Sequence, residues 1–472
     1  MNPVNAVVFL SGWALPNARV FLADGWHPFY LAFFFLMALS TPVAERLVRR
    51  HLQRAFPAFT ATARGQRGLD LLQSLGYMHV VGMVMVGMFW QNDRATHQTT
   101  FSWLFGTFVV HYSLKFTLAA LAGLGWELPR WIKQTFRRKA APPAPPSPTE
   151  KHPAAAAGAP SQPTAERPPD PGRRDFLAKL AAGAALVPPA FFLQGISSGK
   201  YNFQVLEREL FFPRLPLALD GLRILQLSDF HLGSFGSVDQ VARGIRLATA
   251  QQFDLAVFTG DYVNNTSTEM APWLELLSEV KAPLGVFAVR GNHDYGDYAT
   301  WYDENAKQRD LTNLLNNITG LGHRLLENEN VVLSHKGGRL QLAGTGFYRG
   351  SNLPPGELQY CDLPAATAGL DAQHFTLLLT HNPKHWDDEV RQHPHPTDLT
   401  LAGHTHGMQL GIHTPEFQFS PVQLFFRRWA DHYREGPHQL YVNRGFGYTV
   451  FPGRVGIWPE ITLLTLRRGR AS

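Results

Sequence analysis

Five short apolar runs in the C-terminal half, each breaking off into Asp, Asn or His, constrain this chain more than any other feature. Leu222–Leu227 (LRILQL) leads into Ser228-Asp229-Phe230-His231, and Leu255–Thr259 (LAVFT) into Gly260-Asp261. Gly285–Val289 (GVFAV) leads into Arg290-Gly291-Asn292-His293-Asp294. Phe375–Leu379 (FTLLL) precedes Thr380-His381-Asn382-Pro383, and Leu399–Ala402 precedes Gly403-His404-Thr405-His406-Gly407. Runs this short and this apolar suit strands covered on both faces, as in an α/β fold with parallel pairing. Burial explains the runs. It does not explain five sets of metal-competent side chains at the same end, which is where open α/β sheets build their sites. Gly337-Gly338, between Val331–Ser334 and Leu340–Ala343, adds a hairpin.

These motifs resemble the calcineurin-like metallophosphoesterase superfamily: Asp229-x-His231, Gly260-Asp261, Gly291-Asn292-His293-Asp294, His381 and Gly403-His404-x-His406. A D-x-H or G-D pair alone arises by chance; five in family order at strand ends form a specific signal. Leu215-Pro216, Leu219-Asp220-Gly221, Gln439 to Gly445 (QLYVNRG) and Pro459-Glu460-Ile461 extend the resemblance to a YkuE-like, membrane-associated subgroup, over about residues 205–468. Met408 departs from it, standing where the subgroup continues with glycine.

The resemblance implies a four-layer αββα sandwich and two divalent metal ions (Mn, Fe or Zn). It implies that Asp229, His231 and His406 hold the first metal, that Asn292, His381 and His404 hold the second, and that Asp261 bridges both. The residue types suit that task. A carboxylate spans two cations, imidazole nitrogen suits borderline metals, and an amide oxygen completes a site without adding charge. Two such ions generate a bridging hydroxide for attack and grip the phosphoryl oxygens. His293 is then the expected general acid, oriented by Asp294. Arg290 and Arg444 are candidate phosphate contacts, each with a salt bridge as the alternative reading. His385 and the other histidines outside the motifs show no ligand-like spacing, and His393 and His395 read as solvated in a Pro-rich loop. Phe425-Phe426-Arg427-Arg428-Trp429 reads as a partly buried helix end or a lipid contact.

The N-terminal part has another texture. His27–Val43, Leu71–Trp90 and Phe101–Trp126 each have about the length that spans a bilayer core, so residues 1–130 are expected to be a transmembrane helical region. His111 and Lys115 interrupt the third run and are satisfied by a neighbouring helix or mark a polar site. Basic loops at 46–67 and 130–139 place those loops in the cytoplasm. Residues 131–172 read as a Pro/Ala-rich linker. Residues 173–200 open with Arg173-Arg174-Asp175-Phe176-Leu177 and resemble a twin-arginine signal-anchor, with an ordinary positive flank on a fourth span as the alternative. That implies the export machinery as a partner and places a catalytic domain at 201–472 on the outer face of the cytoplasmic membrane.

Charge supports this division and argues against nucleic acid. Residues 1–200 carry 20 Lys+Arg against 9 Asp+Glu, while residues 201–472 carry 23 against 28. A nucleic-acid-binding domain concentrates positive charge on the folded part, and here that part is acidic. The single cysteine, Cys361, excludes an intramolecular disulfide and a Cys-rich zinc site. The expected function is metal-dependent phosphoester hydrolysis, mono- or diester, on a lipid-linked substrate at the membrane. A soluble phosphoester and a non-catalytic membrane signalling module are the alternatives.

Overall fold

A computed structural model describes residues 45–50, 52–54, 56–71, 73–74, 94–122, 176, 180, 183–351, 359–414 and 417–470. The chain divides into two compact units: residues 1–82 with 108–190, and residues 83–107 with 191–472. The larger unit carries the strands.

In chain order these are β1 (Gln204–Phe212), β2 (Arg223–Leu227), β3 (Leu255–Phe258), β4 (Val286–Ala288), β5 (His323–Leu325), β6 (Glu329–His335) and β7 (Gly338–Gly344). β8 (Thr376–Leu379), β9 (Leu399–Ala402), β10 (Ile412–His413), β11 (Gln418–Phe419), β12 (Asp431–Glu435), β13 (His438–Val442) and β14 (Glu460–Arg468) follow. One six-stranded sheet has the order β1-β14-β2-β3-β4-β5 and the other β12-β13-β9-β8-β7-β6. Strands β2 to β5 run parallel in the first sheet, as do β7, β8, β9 and β13 in the second. The hairpin expected at Gly337-Gly338 joins β6 to β7 in antiparallel register.

Burial on both faces accounts for the unbroken apolar runs. Along β3, Leu255 and Val257 enter the core between the sheets, whereas Ala256 and Phe258 face the helices outside. Along β8, Leu377 and Leu379 face inward and Leu378 outward. The outer face of the first sheet is covered by helices Val238–Thr249 and Glu304–Gly320, through Val241, Ile245, Leu314 and Ile318. That of the second packs against Leu363, Trp386 and Val390. The result is a helix–sheet–sheet–helix layering. Each fully buried Leu or Val stabilises it by about 1.5–3 kcal/mol, so a charge at Val257 would open the central layer. The two sheets are also tied at their functional end. Buried Gln226 on β2 donates to the Ala402 carbonyl at the end of β9, at 2.9 Å.

The N-terminal expectations fare differently. His27–Val43 lies outside the described residues, as do Leu71–Trp90 beyond Ser74, the linker from 131 to 172, and Arg173 and Arg174. Of the third run, residues 101–122 lie in the 29-residue helix Arg94–Ala122. No helix among the described residues is long and apolar enough to cross a membrane, so the described part of the chain does not support the transmembrane expectation. The physical reason for this helix is its interruption by Ser102, Thr107, His111, Ser113, Lys115 and Thr117. Lys115 is fully buried and ion-paired with Glu45, satisfied by a neighbour rather than marking a free polar site. In the signal-anchor segment, Val187–Ser197 is a helix of 11 residues, too short to span.

Candidate metal centre

All seven expected donors lie just past the carboxyl ends of parallel strands. β2, β3 and β4 of the first sheet deliver Asp229, His231, Asp261 and Asn292, while β8 and β9 of the second deliver His381, His404 and His406. Turning each side chain inward so soon after a strand requires unusual backbone. Asp229, His231, Asp261, His404 and His406 all have positive φ, between 47° and 75°. Such conformations cost about 1–3 kcal/mol each and persist where the surrounding structure over-determines them. The glycines in the motifs have a matching steric reason. A Cβ on Gly403 would overlap the Asp229 carboxylate, and one on Gly291 would overlap that of Asp261.

The donor atoms form two groups sharing one residue. Asp229, His231, Asp261 and His406 converge, and so do Asp261, His381 and His404, with the donor atoms in each group within 4.8 Å of one another. His231 Nε2 and His406 Nε2 are 3.0 Å apart, and His406 Nε2 lies 3.3 Å from Asp229 Oδ1. Asp261 Oδ2 is 3.4 Å from His231 Nε2 and 3.1 Å from His381 Nε2. The chemistry of these atoms fits cations. His381 Nδ1 donates to the Thr259 carbonyl at 2.6 Å, which fixes the ring with Nε2 facing the cluster. Asn292 donates through Nδ2 to the Tyr298 hydroxyl, while its buried Oδ1 has no hydrogen-bond partner. A buried acceptor without a donor is expensive unless a cation is its partner. Burial would lower the His381 imidazolium, but Asp261 and Asp229 outweigh it and raise the group to about 9. Burial holds His404 down at about 3, with the charge of His381 adding to the effect.

The structure corrects one sequence expectation, the role of Asp294, and decides between the two readings of Arg290 and Arg444. Asp294 does not contact the His293 ring. Its carboxylate accepts from the backbone N–H groups of Asp261 (2.8 Å), Tyr262 (2.9 Å) and Gly291 (3.0 Å), and so clamps the loop after β3 to the loop after β4. Burial, followed by the Asp261 charge, pushes Asp294 up to about 7. His293 is oriented instead by Asn264, whose carbonyl accepts from Nδ1 at 2.7 Å, and by Tyr298 stacked at 4.4 Å. Arg290 and Arg444 are not free phosphate contacts. Arg290 donates to Glu327 at 2.8 Å beneath the Tyr295 ring, and buried Arg444 pairs with Glu460. Both lie next to motif residues, where sequence cannot show that a carboxylate has already claimed the guanidinium.

Several contributors were not visible beforehand. Asn264 reaches two rings, its side-chain Oδ1 standing 2.9 Å from His231 Nδ1 while its carbonyl holds His293. Arg454 is fully buried behind the cluster, with NH2 3.2 Å from His406 Nδ1 and 2.8 Å from the Arg444 carbonyl. An Asn beyond the Gly-Asp motif and an Arg in a Pro-Gly-Arg turn carry no spacing signal. Met408 packs against the apolar cluster of Val422, Trp429, Ala430 and Ile457. His395 is not simply solvated, since its Nε2 lies 3.0 Å from Thr376 Oγ1. Arg428, read as a helix-end or lipid contact, packs over Trp386 and pairs with Glu435.

Two donor groups joined through one carboxylate at the mouth of a double-sheet sandwich define a class, and comparison with known proteins agrees. Residues 222–408 match the family model described as calcineurin-like phosphoesterase. The chain belongs to this family: it is a metallophosphoesterase, a phosphoric ester hydrolase that uses divalent metal ions. It is 31% identical over 258 residues to "Uncharacterized metallophosphoesterase YkuE" of Bacillus subtilis, covering 54% of this chain and 82% of that one. It is 28% identical to "Transmembrane protein with metallophosphoesterase domain" of Bos taurus, over 63% of this chain and 65% of the relative. It is 25% identical to "UDP-2,3-diacylglucosamine pyrophosphatase LpxG" of Chlamydia trachomatis, over 48% of this chain and 79% of the relative.

Proposed function

We propose that the protein hydrolyses a phosphoester carried on a lipid, using two divalent cations held on either side of Asp261. The observation that carries this reading is the shared carboxylate, because one residue belonging to two donor groups is what a dinuclear site requires. Asp229, His231 and His406 would hold one cation, and Asn292, His381 and His404 the other. Such ions polarise phosphoryl oxygens and lower the pKa of water.

The remaining steps belong to the chain. The Nδ1–H of His293 is fixed on the Asn264 carbonyl, so its Nε2 is the atom free to serve the leaving oxygen. Burial lowers its pKa to about 4. A proton held at Nε2 would pass to the leaving oxygen. Asp294 keeps the two ligand loops in register during this exchange.

Lipid attachment is favoured by a cavity of about 560 Å³ that reaches Asn264 and is lined by Trp103, Lys200, Phe235 and Tyr448. Lys200 Nζ lies 4.8 Å from the Tyr448 ring centroid, 5.4 Å from Tyr201 and 5.8 Å from Trp103. A cation ringed by aromatic faces suits an anionic headgroup with apolar substituents. The name of the chlamydial relative, a pyrophosphatase of a diacylated sugar nucleotide, agrees with such a substrate. Membrane residence, with the catalytic part on the outer face, rests on the apolar N-terminal runs and on the name of the bovine relative.

The test compares turnover of an acylated sugar diphosphate in detergent with that of soluble sugar phosphates and nucleotides. Preference for the acylated compound is expected. Equal or better turnover of soluble esters would favour the alternative of an enzyme for soluble substrates. Protease added to intact spheroplasts should degrade the catalytic domain if it faces outward, and protection would reverse that assignment.

A further inference from the structure

A second cluster of metal-competent side chains lies apart from the catalytic one and shares no residue with it. Cys361, His385 and Glu389 bring Sγ, an imidazole nitrogen and a carboxylate oxygen within 4.8 Å of one another. His385 is fully buried and sits on the short helix Lys384–Asp388. Glu389, 45% exposed, follows at the end of that helix four residues on, which puts both on one face. Cys361 approaches from the loop before helix Leu363–Thr367. The imidazole is held on two further sides. Its Nδ1 is 3.0 Å from Thr380 Oγ1, and the Tyr348 ring stacks on it at 4.7 Å.

Two neighbours compete for His385 Nε2. This nitrogen lies 3.4 Å from Cys361 Sγ and 3.4 Å from Glu389 Oε2. A neutral ring nitrogen either accepts from the thiol or donates to the carboxylate, and cannot do both. A single cation satisfies all three groups. The spacing also matches one. Tetrahedral zinc, with bonds of about 2.3 Å to sulfur and about 2.0–2.1 Å to nitrogen and oxygen, sets N–S and N–O edges of about 3.6 and 3.3 Å. The two edges that meet at His385 Nε2, both 3.4 Å, agree with these to within a few tenths of an ångström.

We propose that Cys361, His385 and Glu389 form a third metal site, for a soft divalent ion of the zinc type, outside the catalytic centre. Cys361 and Glu389 also line a surface cavity of about 770 Å³, with Asp362, Asp388 and His393, from which water would complete the coordination. Binding replaces the Cys361 S–H bond with a sulfur–metal bond and releases one proton to solvent. Sequence spacing missed the site because its cysteine stands 24 residues from its histidine and belongs to no paired motif.

The single cysteine makes the test specific. Cobalt(II) is titrated into the full-length protein and the near-ultraviolet thiolate-to-cobalt charge-transfer band is followed. That band can arise only at Cys361. The expected result is a saturable band in the native protein, its complete loss in Cys361→Ser, and a cobalt affinity at this site lowered about tenfold or more in Glu389→Gln. Phosphoesterase activity of Cys361→Ser, unchanged within about twofold, shows that the fold and the catalytic metals survive. Absence of the band at saturating cobalt in active native protein overturns the proposal. So does a band of undiminished affinity in Glu389→Gln.

Discussion

The catalytic donors come from five strand ends in two sheets, whereas the Cys361 triad comes from one short helix and one loop. Five of the seven catalytic donors have left-handed backbone, and none of Cys361, His385 and Glu389 does. The first cluster is therefore strained and fixed by the whole sandwich; the second is relaxed, half open and local. Strain of this kind needs the surrounding sheets to hold it. Damage to the catalytic cluster should accordingly spread through metal content and chemistry together, while damage to the triad should stay where it is made.

The largest effect is expected at the residue the two catalytic groups share. Asp261→Asn should reduce turnover to background and markedly lower metal content, read by elemental analysis alongside a phosphodiester assay. Full metal occupancy with normal rates would break the dinuclear assignment. Next comes His293→Ala, with a rate loss of ~10²–10⁴-fold, metal content unchanged and a smaller loss on nitrophenyl esters. Loss of metal in that variant would make His293 a ligand.

Asp294→Ala separates strain from chemistry. It strands backbone N–H groups of Asp261, Tyr262 and Gly291 that the carboxylate now accepts. Each buried, unsatisfied donor costs about 1–3 kcal/mol, and each kcal/mol lowers Tm by about 2–4 °C in a domain of this size. Thermal melting should show a drop of several degrees or more; an unchanged Tm would remove the clamp. Smaller still, Lys200→Met should raise KM for an acylated diphosphate by ~10-fold, the scale of one charge-assisted contact. It should leave kcat and nitrophenyl ester turnover alone. A fall in kcat for both substrates would show that Lys200 supports the metal centre rather than the substrate.

The same contrast explains what could be read in advance. Strands β2, β3, β4, β8 and β9 were legible because two-faced burial writes continuous apolar runs, and their donors because strand ends gather sites. The hairpin at Gly337-Gly338 was legible from its turn residues. Roles that depend on distant partners were not. Arg290 and Arg444 look available until Glu327 and Glu460 are seen beside them. Asp294 follows His293 in sequence, yet its carboxylate points back into the loop after β3. Asn264 and Arg454 act through a carbonyl and a buried guanidinium, and neither leaves a pattern. The third apolar run formed a helix as expected, but its hydroxyls, His111 and the Lys115–Glu45 pair keep it short of a membrane-crossing hydropathy.

Anomalous diffraction from crystals of manganese-loaded protein tests the central claim most directly. The account predicts two peaks about 3.5–4 Å apart, with an Asp261 carboxylate oxygen touching both. One peak should lie against Asp229, His231 and His406, and the other against Asn292, His381 and His404. A single peak among these residues, or two peaks with Asp261 bound to only one, would contradict it.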